Sequence, residues 1–253
     1  MTEFEYVDYT VDGNVGEISM NRPPVNAINM QMIGELLETF RLAKADDLVR
    51  SVILTSGIER AFSAGVDLDM ASGITGTEHR AFQERLYFEY HNLQHHYGKP
   101  TIAAVTGPMV GGGITLAMGC NCVIMAEDVE LSYPEIDVGH IPGSHFGPLP
   151  RLVGRHKAFE LLFSGAAIDG KEANRLGIVN HAVEREDVLE RSRKLAKTFA
   201  EKPPYVMQVA HNAFMQFVDE GVRRELGHVR DLSDFITNLD ESHDAREKFF
   251  EEE

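Results

Sequence analysis

The stretch TIAAVTGPMVGGGITLAMGCNCVIMA, residues 101–126, contains no charged side chain and is long enough to cross a lipid bilayer. It is interrupted by Pro108, by three glycines at positions 111–113 and by Asn121. Glycine and proline break regular structure, so the stretch divides into short apolar pieces instead of one long span. We predict a buried strand at residues 101–105, a glycine loop, a buried helix at 113–120 and another strand at 122–126.

The N-terminal part of the chain predicts a β-hairpin followed by a helix. Apolar residues alternate at residues 4–9 and 15–20, on either side of the turn-forming sequence Asp12-Gly13-Asn14. From Ile28 to Phe40 they recur at helical spacing, behind Asn29, a residue type that caps helices. The same patterns predict a buried strand at residues 51–55 and a helix at residues 81–96. Because strands alternate with helices, we expect a mainly parallel α/β core.

The last third of the chain, from Arg155 onward, shows helical spacing interrupted by turn signals. Six apolar residues near its end keep that spacing: Val206, Val209, Ala210, Phe214, Phe217 and Val218. An amphipathic segment of this kind packs on its own core or on another subunit. We therefore divide the chain into a core at residues 1–200 and a helical C-terminal region at residues 201–253.

Composition and charge exclude several classes of protein. Apolar residues at 43% and charged residues at 25% are ordinary values for a folded globular protein. The formal charge of −16 opposes binding to nucleic acid, whose phosphates need a basic surface. Cys120 and Cys122 are too close for an easy disulfide and lack the second pair of a zinc site. The acidic N-terminus does not resemble a signal peptide, so we expect a cytoplasmic protein with no membrane partner.

Two glycine-containing turns follow predicted buried strands. The first is RAFSAGVDL at residues 60–68, and the second is GPMVGGG at residues 107–113, which opens the buried helix. Three consecutive glycines destabilise regular structure, so something requires a backbone without side chains there. Their spacing is not that of a phosphate loop or of a dinucleotide fold. Turns at equivalent ends of neighbouring strands instead suit an oxyanion hole, in which two backbone N–H groups bind one oxygen.

These motifs resemble the enoyl-CoA hydratase/isomerase (crotonase) superfamily. The resemblance rests on AFSAGVDL, AAVTGPMVGGGITLAMGCNCVIMAED and YPEIDVGHIPG, and it extends from MNRPPVNAIN to LGIVNHAV and the helical tail. It implies a spiral of ββα units with a helical C-terminal trimerisation region, assembled as a homotrimer or a dimer of trimers. It also implies an acyl-CoA thioester substrate, so that coenzyme A is part of the substrate and no cofactor is expected. By the same resemblance, the N–H groups of Val66 and Gly112 hold the thioester oxygen.

The resemblance also identifies a candidate catalytic carboxylate. Hydratases of the family carry one Glu two residues after the glycine triplet, where this chain has Thr115. Their second Glu follows a proline, and Glu135 in the sequence Tyr133-Pro134-Glu135 matches it. We therefore expect Glu135 to be the acid/base group. A solvated surface Glu at a helix start is the default interpretation of an isolated Glu, and the match to the motif outweighs it.

Further residues are candidates for contact with the substrate. By resemblance, the CoA groove and the two turns are lined by Val25, Ala27, Ala64, Gly65, Leu68 and Gly111. His140 and His145 follow Glu135 in a loop rich in glycine and proline, where each is a candidate either to face the acyl group or to be structural. Asp67 is also a candidate for substrate contact, but we expect it mainly to fix the first turn by accepting backbone hydrogen bonds.

Two histidines and one proline bear on further ligand contacts. His91 and His95 are one helical turn apart and could in principle hold a metal, but no third ligand is evident, so we predict a polar helix face and no metal site. Pro24 stands where many members of the family carry a basic residue. Contacts with the CoA phosphates therefore fall to basic residues of the tail, such as Lys248.

The expected reaction, part of fatty acid metabolism, proceeds through a thioester enolate. With one carboxylate the simplest activity is isomerisation of an enoyl-CoA, in which one base takes a proton from one carbon and returns it to another. Hydration is the close alternative, and decarboxylation or C–C cleavage stays open. The alternative of another class is a protein that only binds acyl-CoA, which has no need of Glu135. We assign the choice of acyl chain to a loop at residues 70–90.

Overall fold

The computed structural model describes residues 4–74, 76–237, 239, 244–245, 247–248 and 251. It opens with the predicted hairpin, in which β1 (Val7–Asp12) pairs antiparallel with β2 (Val15–Met20). Gly13 in the connecting turn has a φ of +60°, a left-handed conformation that glycine adopts without steric cost. The hairpin prediction is confirmed.

Parallel strands extend the hairpin into the main sheet. The added strands are β3 (Ser51–Ser56), β4 (Thr101–Val105), β6 (Cys122–Ala126) and β9 (His181–Val183). A smaller sheet joins β5 (Met109–Val110), β7 (Glu130–Ser132) and β8 (Ile168–Asp169) in the order β5-β7-β8. Within the described residues the main sheet has six strands in the order β1-β2-β3-β4-β6-β9, and each pair beyond the hairpin is parallel. The predicted α/β core is confirmed.

Helices cover the sheet and supply most of the remaining core. The first, α1 (Met30–Ala45), begins at Asn29, whose side chain accepts a hydrogen bond from Met32 N at 2.8 Å, as its sequence predicts. Further helices are α2 (Leu68–Gly73), α3 (Gly76–Gln83), α4 (Tyr90–His95), α5 (Gly112–Gly119), α6 (Pro148–Val153), α7 (Arg155–Ser164), α8 (Gly170–Arg175), α9 (Val188–Ala200) and α10 (Pro204–Thr237). Short 3-10 helices occur at Pro134–Ile136, Gly143–His145 and Arg185–Asp187.

Two regions differ from the expectations drawn from sequence. Residues 70–90, which we assigned to a loop although the spacing predicts a helix from residue 81, are largely helical. Helices α2 and α3 are followed by a π-helix at Glu84–Glu89 that leads directly into α4. The last third of the chain is not wholly helical, because β8 and β9 lie within it. Strands of two and three residues are too short to show an alternating pattern, which is why the sequence did not indicate them.

The long helix α10 carries exposed apolar side chains. Val206, Phe214 and Phe217 are 62%, 63% and 88% exposed, and Val209 and Val218 are exposed as well. Such a surface suits the predicted packing on another subunit. The oligomeric state and the boundary at residue 200 stay predictions, and part of the 201–253 region lies outside the described residues. Among the helices that the structure describes, none has the length and hydropathy to span a membrane.

Candidate active site

The two glycine turns predicted from sequence lie against each other. Ser63 of the first turn and Met109 of the second form a parallel β-bridge, and Val110 N donates a hydrogen bond to Ser63 O at 3.0 Å. Gly65 lies at this contact with a φ of +86°, and a Cβ built on it would lie 2.7 Å from Val110 O. Only glycine fits there without displacing the neighbouring backbone.

The three glycines of the second turn differ in what surrounds them. Gly111 has a φ of +47°, and a Cβ on it would lie 3.0 Å from Glu135 Oε1. Gly113 packs against Ser63 so closely that a Cβ would lie 2.6 Å from the Ser63 carbonyl oxygen. At Gly112 the nearest described atom, a valine methyl carbon, is 3.4 Å from the Cβ position. A methyl group is therefore tolerated at Gly112, whereas at its two neighbours it forces a displacement.

The N–H groups of Val66 and Gly112 make no backbone hydrogen bond to any residue that the structure describes. Ile28 N donates to Gly65 O at 2.7 Å, and Asp67 N donates to Ile28 O at 3.0 Å. Successive N–H groups of an extended chain point to opposite sides, so the Val66 N–H points away from Ile28. Gly112 begins α5, and its N–H has no acceptor within that helix. Two such donors in adjoining turns are the elements of an oxyanion hole.

Both turns open into a cavity with a volume of about 180 Å³. Eight of the residues proposed from sequence line it: Ala64, Gly65, Val66, Leu68, Gly111, Gly112, Glu135 and His140. Sequence reasoning missed a group of lining residues from α3 and the π-helix, namely His79, Phe82, Gln83, Tyr87 and Phe88. The assignment of specificity to residues 70–90 was the one signal that pointed to them. A π-helix shifts the following side chains around the helix axis, a local feature often found at functional sites.

Glu135 is the carboxylate of this cavity. It lies in the 3-10 helix Pro134–Ile136, and its backbone oxygen accepts a hydrogen bond from His140 N at 2.7 Å. Its Oε2 is buried and has no hydrogen-bond partner among the described residues. Burial raises the pKa of Glu135 from 4.5 to about 7, because the charged form loses its hydration. Burial and, second, the Glu135 charge also raise the pKa of the neighbouring Tyr87.

Thr115 lies at the position that the family resemblance assigns to a glutamate in hydratases. Its Oγ1 lies 3.2 Å from Ser144 Oγ and 3.3 Å from His145 Nε2. The structure places His145 outside the 180 Å³ cavity, on the wall of a second cavity of about 350 Å³, while Ser144 lines both. The His145 ring is buried, with its centroid 4.8 Å from that of Tyr133, and burial lowers its pKa from 6.5 to about 4. His145 is therefore neutral at physiological pH.

Three further residues proposed from sequence support the first turn and do not line the cavity. Asp67 accepts a hydrogen bond from Met70 N at 3.0 Å, which caps α2, and it forms an ion pair with Arg22 at 2.7 Å. Arg22 also donates to Ala27 O at 2.7 Å, and Val25 O accepts a hydrogen bond from the N–H of residue 64 at 2.9 Å. These hydrogen bonds and this ion pair stabilise the turn from outside the cavity, which none of Asp67, Val25 and Ala27 lines. Their contacts with CoA, like that of the exposed Lys248, stay predictions.

His91 and His95 have ring centroids 6.2 Å apart. Among the residues that the structure describes, no group of three or more His, Cys, Asp or Glu side chains is placed to hold a metal ion. Cys120 and Cys122 are both free thiols.

Comparisons with known proteins agree with the geometry. A family model described as enoyl-CoA hydratase/isomerase matches residues 10–253. A probable enoyl-CoA hydratase of Bacillus subtilis is 37% identical over 203 residues, which cover 79% of this chain and 78% of that protein. One from Mycobacterium leprae is 32% identical over 92% of each chain. A crystal structure of an enoyl-CoA hydratase/isomerase from Xanthobacter autotrophicus has a TM-score of 0.89 at 26% identity, covering 98% of this chain and 93% of the other. For a probable enoyl-CoA hydratase from Mycobacterium smegmatis the TM-score is 0.83 at 31% identity, with 91% and 93% covered.

Proposed function

The chain belongs to the enoyl-CoA hydratase/isomerase family, and we propose that it acts on acyl-CoA thioesters through an enolate, with Glu135 as its one catalytic carboxylate. The observation that carries this proposal is the buried Glu135 Oε2, which has no described partner and shares a cavity with the Val66 and Gly112 turns. A buried carboxylate without a partner destabilises the fold, and such groups are concentrated at functional sites.

The two backbone N–H groups stabilise the negative charge that forms in the first step of the reaction. A proton on the carbon next to a thioester is only weakly acidic, and its removal places negative charge on the thioester oxygen. The N–H groups of Val66 and Gly112 stabilise that charge, and loss of one such donor typically costs about 3 kcal/mol in the barrier. They need no reorganisation, because the contact between the two turns already fixes them.

Glu135 then moves the proton. A pKa of about 7 leaves a large fraction of the carboxylate ionised at neutral pH while its conjugate acid can still return the proton. In a 3-enoyl-CoA, Glu135 takes a proton from C2, the double bond moves to C2–C3, and the same proton is returned to C4. One carboxylate is sufficient for this isomerisation.

Hydration of a 2-enoyl-CoA is the second candidate. It is favoured by the printed names of the B. subtilis and M. leprae relatives, both probable enoyl-CoA hydratases. Hydration requires a group that holds water beside the base, and the family resemblance implies a second carboxylate for it in hydratases. Here that position is Thr115.

The experiment compares Glu135→Gln with wild type in isomerisation of a 3-enoyl-CoA and in exchange of the C2 proton of butyryl-CoA in D2O. We expect turnover and exchange to fall by about 100-fold or more, while thioester affinity changes little, because the amide keeps the shape and removes the proton acceptor. The matched control is Glu130→Gln, an exposed glutamate five residues earlier on β7. Equal rates in Glu135→Gln and wild type would indicate another base. Tight thioester binding without isomerisation or exchange in wild type would indicate a binding protein.

A further inference from the structure

A chain of three hydrogen-bonding side chains adjoins the cavity on the side of α5. Ser144 lines the cavity, its hydroxyl contacts that of Thr115 at 3.2 Å, and Thr115 in turn contacts His145 Nε2 at 3.3 Å. Thr115 lies one helical turn after Gly112 on α5, whereas Ser144 and His145 belong to the 3-10 helix Gly143–His145. The three side chains therefore link the helix that presents the Gly112 N–H to the loop that follows Glu135.

The ring of His145 sets the direction of these hydrogen bonds. Besides the Thr115 contact of Nε2, the ring interacts with the backbone of Gly111, and this interaction favours the protonated form. A backbone carbonyl acts in this way, which favours the tautomer whose N–H faces Gly111. In a neutral histidine the second nitrogen is then an acceptor. Nε2 accepts from the Thr115 hydroxyl, and Thr115 accepts from the Ser144 hydroxyl. Ser144 Oγ keeps its own acceptor capacity for a group in the cavity.

We propose that Ser144 holds a water molecule for hydration of a 2-enoyl-CoA, in place of a second carboxylate, and that Thr115 and His145 are positioning residues for it. This inference rests on the proposed enolate function and concerns its second candidate reaction, hydration. The water donates one O–H to the Glu135 carboxylate and the other to Ser144 Oγ. Its oxygen forms the bond to C3, the electrons of C2=C3 move to the thioester oxygen, and Glu135 takes the first proton. Glu135 returns that proton to C2, so the net change is the addition of one water.

The proton transfers belong to Glu135 alone. Burial keeps the pKa of His145 at about 4, which makes it a poor base at neutral pH and a stable hydrogen-bond acceptor. Ser144 and Thr115 are neutral hydroxyls, so the three side chains orient water without taking its proton. This division assigns formation of the enolate to Glu135 and the oxyanion turns, and placement of the water to Ser144.

The test compares two reactions in the same variants: hydration of crotonyl-CoA, and C2 proton exchange of butyryl-CoA in D2O, which needs no added water. We expect Ser144→Ala and Thr115→Val to lower kcat for hydration by about 10- to 100-fold, since loss of positioning is costly. KM and the exchange rate should stay within about 3-fold of wild type. Thr115→Ser, which restores the hydroxyl, should recover hydration. The matched control is Ser192→Ala, which removes a buried hydroxyl that bonds Val188 O at 2.8 Å within α9.

Other outcomes separate this inference from the function on which it rests. Unchanged hydration in Ser144→Ala, or an equal fall of hydration and exchange, would overturn the inference and leave the enolate function in place. Wild type that exchanges the C2 proton without hydrating crotonyl-CoA would do the same. Wild type that does neither, and does not isomerise a 3-enoyl-CoA, would contradict the proposed function and the inference together. Should Ser144→Ala fail to fold, the Thr115→Val and Thr115→Ser pair decides.

Discussion

The 3-10 helices Pro134–Ile136 and Gly143–His145 each place a titratable side chain beside Gly111, and the two side chains have opposite surroundings. Oε1 of Glu135 lies 3.0 Å from the position that a Cβ on Gly111 would occupy, and Oε2 has no partner among the described residues. The His145 ring contacts the Thr115 hydroxyl at 3.3 Å and interacts with the Gly111 backbone.

Burial favours the neutral form of both groups, but the consequences differ. For the glutamate it raises the pKa to about 7, so that the group gains and loses a proton near neutral pH. For the histidine it lowers the pKa to about 4, so that the ring keeps one protonation state over the same range. One 3-10 helix therefore supplies a group suited to proton transfer, and the other supplies a group suited to holding hydroxyls. The Glu135 carboxylate and the His145 ring both lie beside the backbone of Gly111.

Substitution of that shared residue should have the largest effect. Gly111→Ala places a side chain at a φ of +47°, with its Cβ 3.0 Å from Glu135 Oε1. We expect turnover to fall by about 100-fold and the free energy of unfolding to fall by about 2 to 3 kcal/mol, from backbone strain and displacement of the carboxylate. The control is Gly13→Ala, at a φ of +60° with no atom within 4 Å, for which we expect about 1 kcal/mol and unchanged turnover. Equal losses of activity in the two variants would mean that Gly111 does not connect the two groups.

The next prediction concerns the contribution of Glu135 to the pH dependence of the free energy of unfolding. Because the pKa is raised to about 7 in the folded protein, the folded chain holds a proton that the unfolded chain releases between pH 4.5 and 7, and stability falls as the pH rises through this range. Glu135→Gln removes that penalty. We expect the variant to be more stable than wild type by about 3 kcal/mol at pH 8, with the advantage nearly absent at pH 4.5. Urea unfolding at a fixed protein concentration measures it, and an equal difference at both pH values would mean that the carboxylate is solvated.

The sequence predicted those parts of the site that depend on local backbone requirements. The strand at residues 101–105 and the glycine turns were recognisable because short apolar runs and glycines report burial and close approach. The predicted helix at 113–120 is shifted by only one residue from α5 (Gly112–Gly119). These features depend on neighbouring residues in the chain, which is why their pattern is visible in it.

Features that depend on distant contacts were not predictable in this way. Ser144 and Thr115 are 29 positions apart, so no spacing indicates their hydrogen bond. The π-helix Glu84–Glu89 has only six residues, too few for apolar spacing to distinguish it from an α-helix. The position of Tyr87 on the cavity wall depends on this helix and was therefore not predictable from the sequence. The protonation states of Glu135 and His145 follow from burial, which is a property of the folded chain.

The smallest expected effect is the contribution of His145 to the loss of stability at acidic pH. His145 has a folded-state pKa of about 4, below its ordinary value of 6.5, so between these values the unfolded chain binds a proton that the folded chain does not. Stability therefore falls as the pH falls through this range, by about 1 kcal/mol between pH 7.5 and 5.5 from this residue. In His145→Gln, which does not titrate, we expect the loss of unfolding free energy over that interval to be smaller by this amount. Other histidines contribute equally to both proteins and cancel. Where the variant is too unstable to compare, the wild-type His145 ring resonances in NMR spectra should not shift between pH 8 and 5.5, and a titration near pH 6.5 would show that the ring is not held neutral.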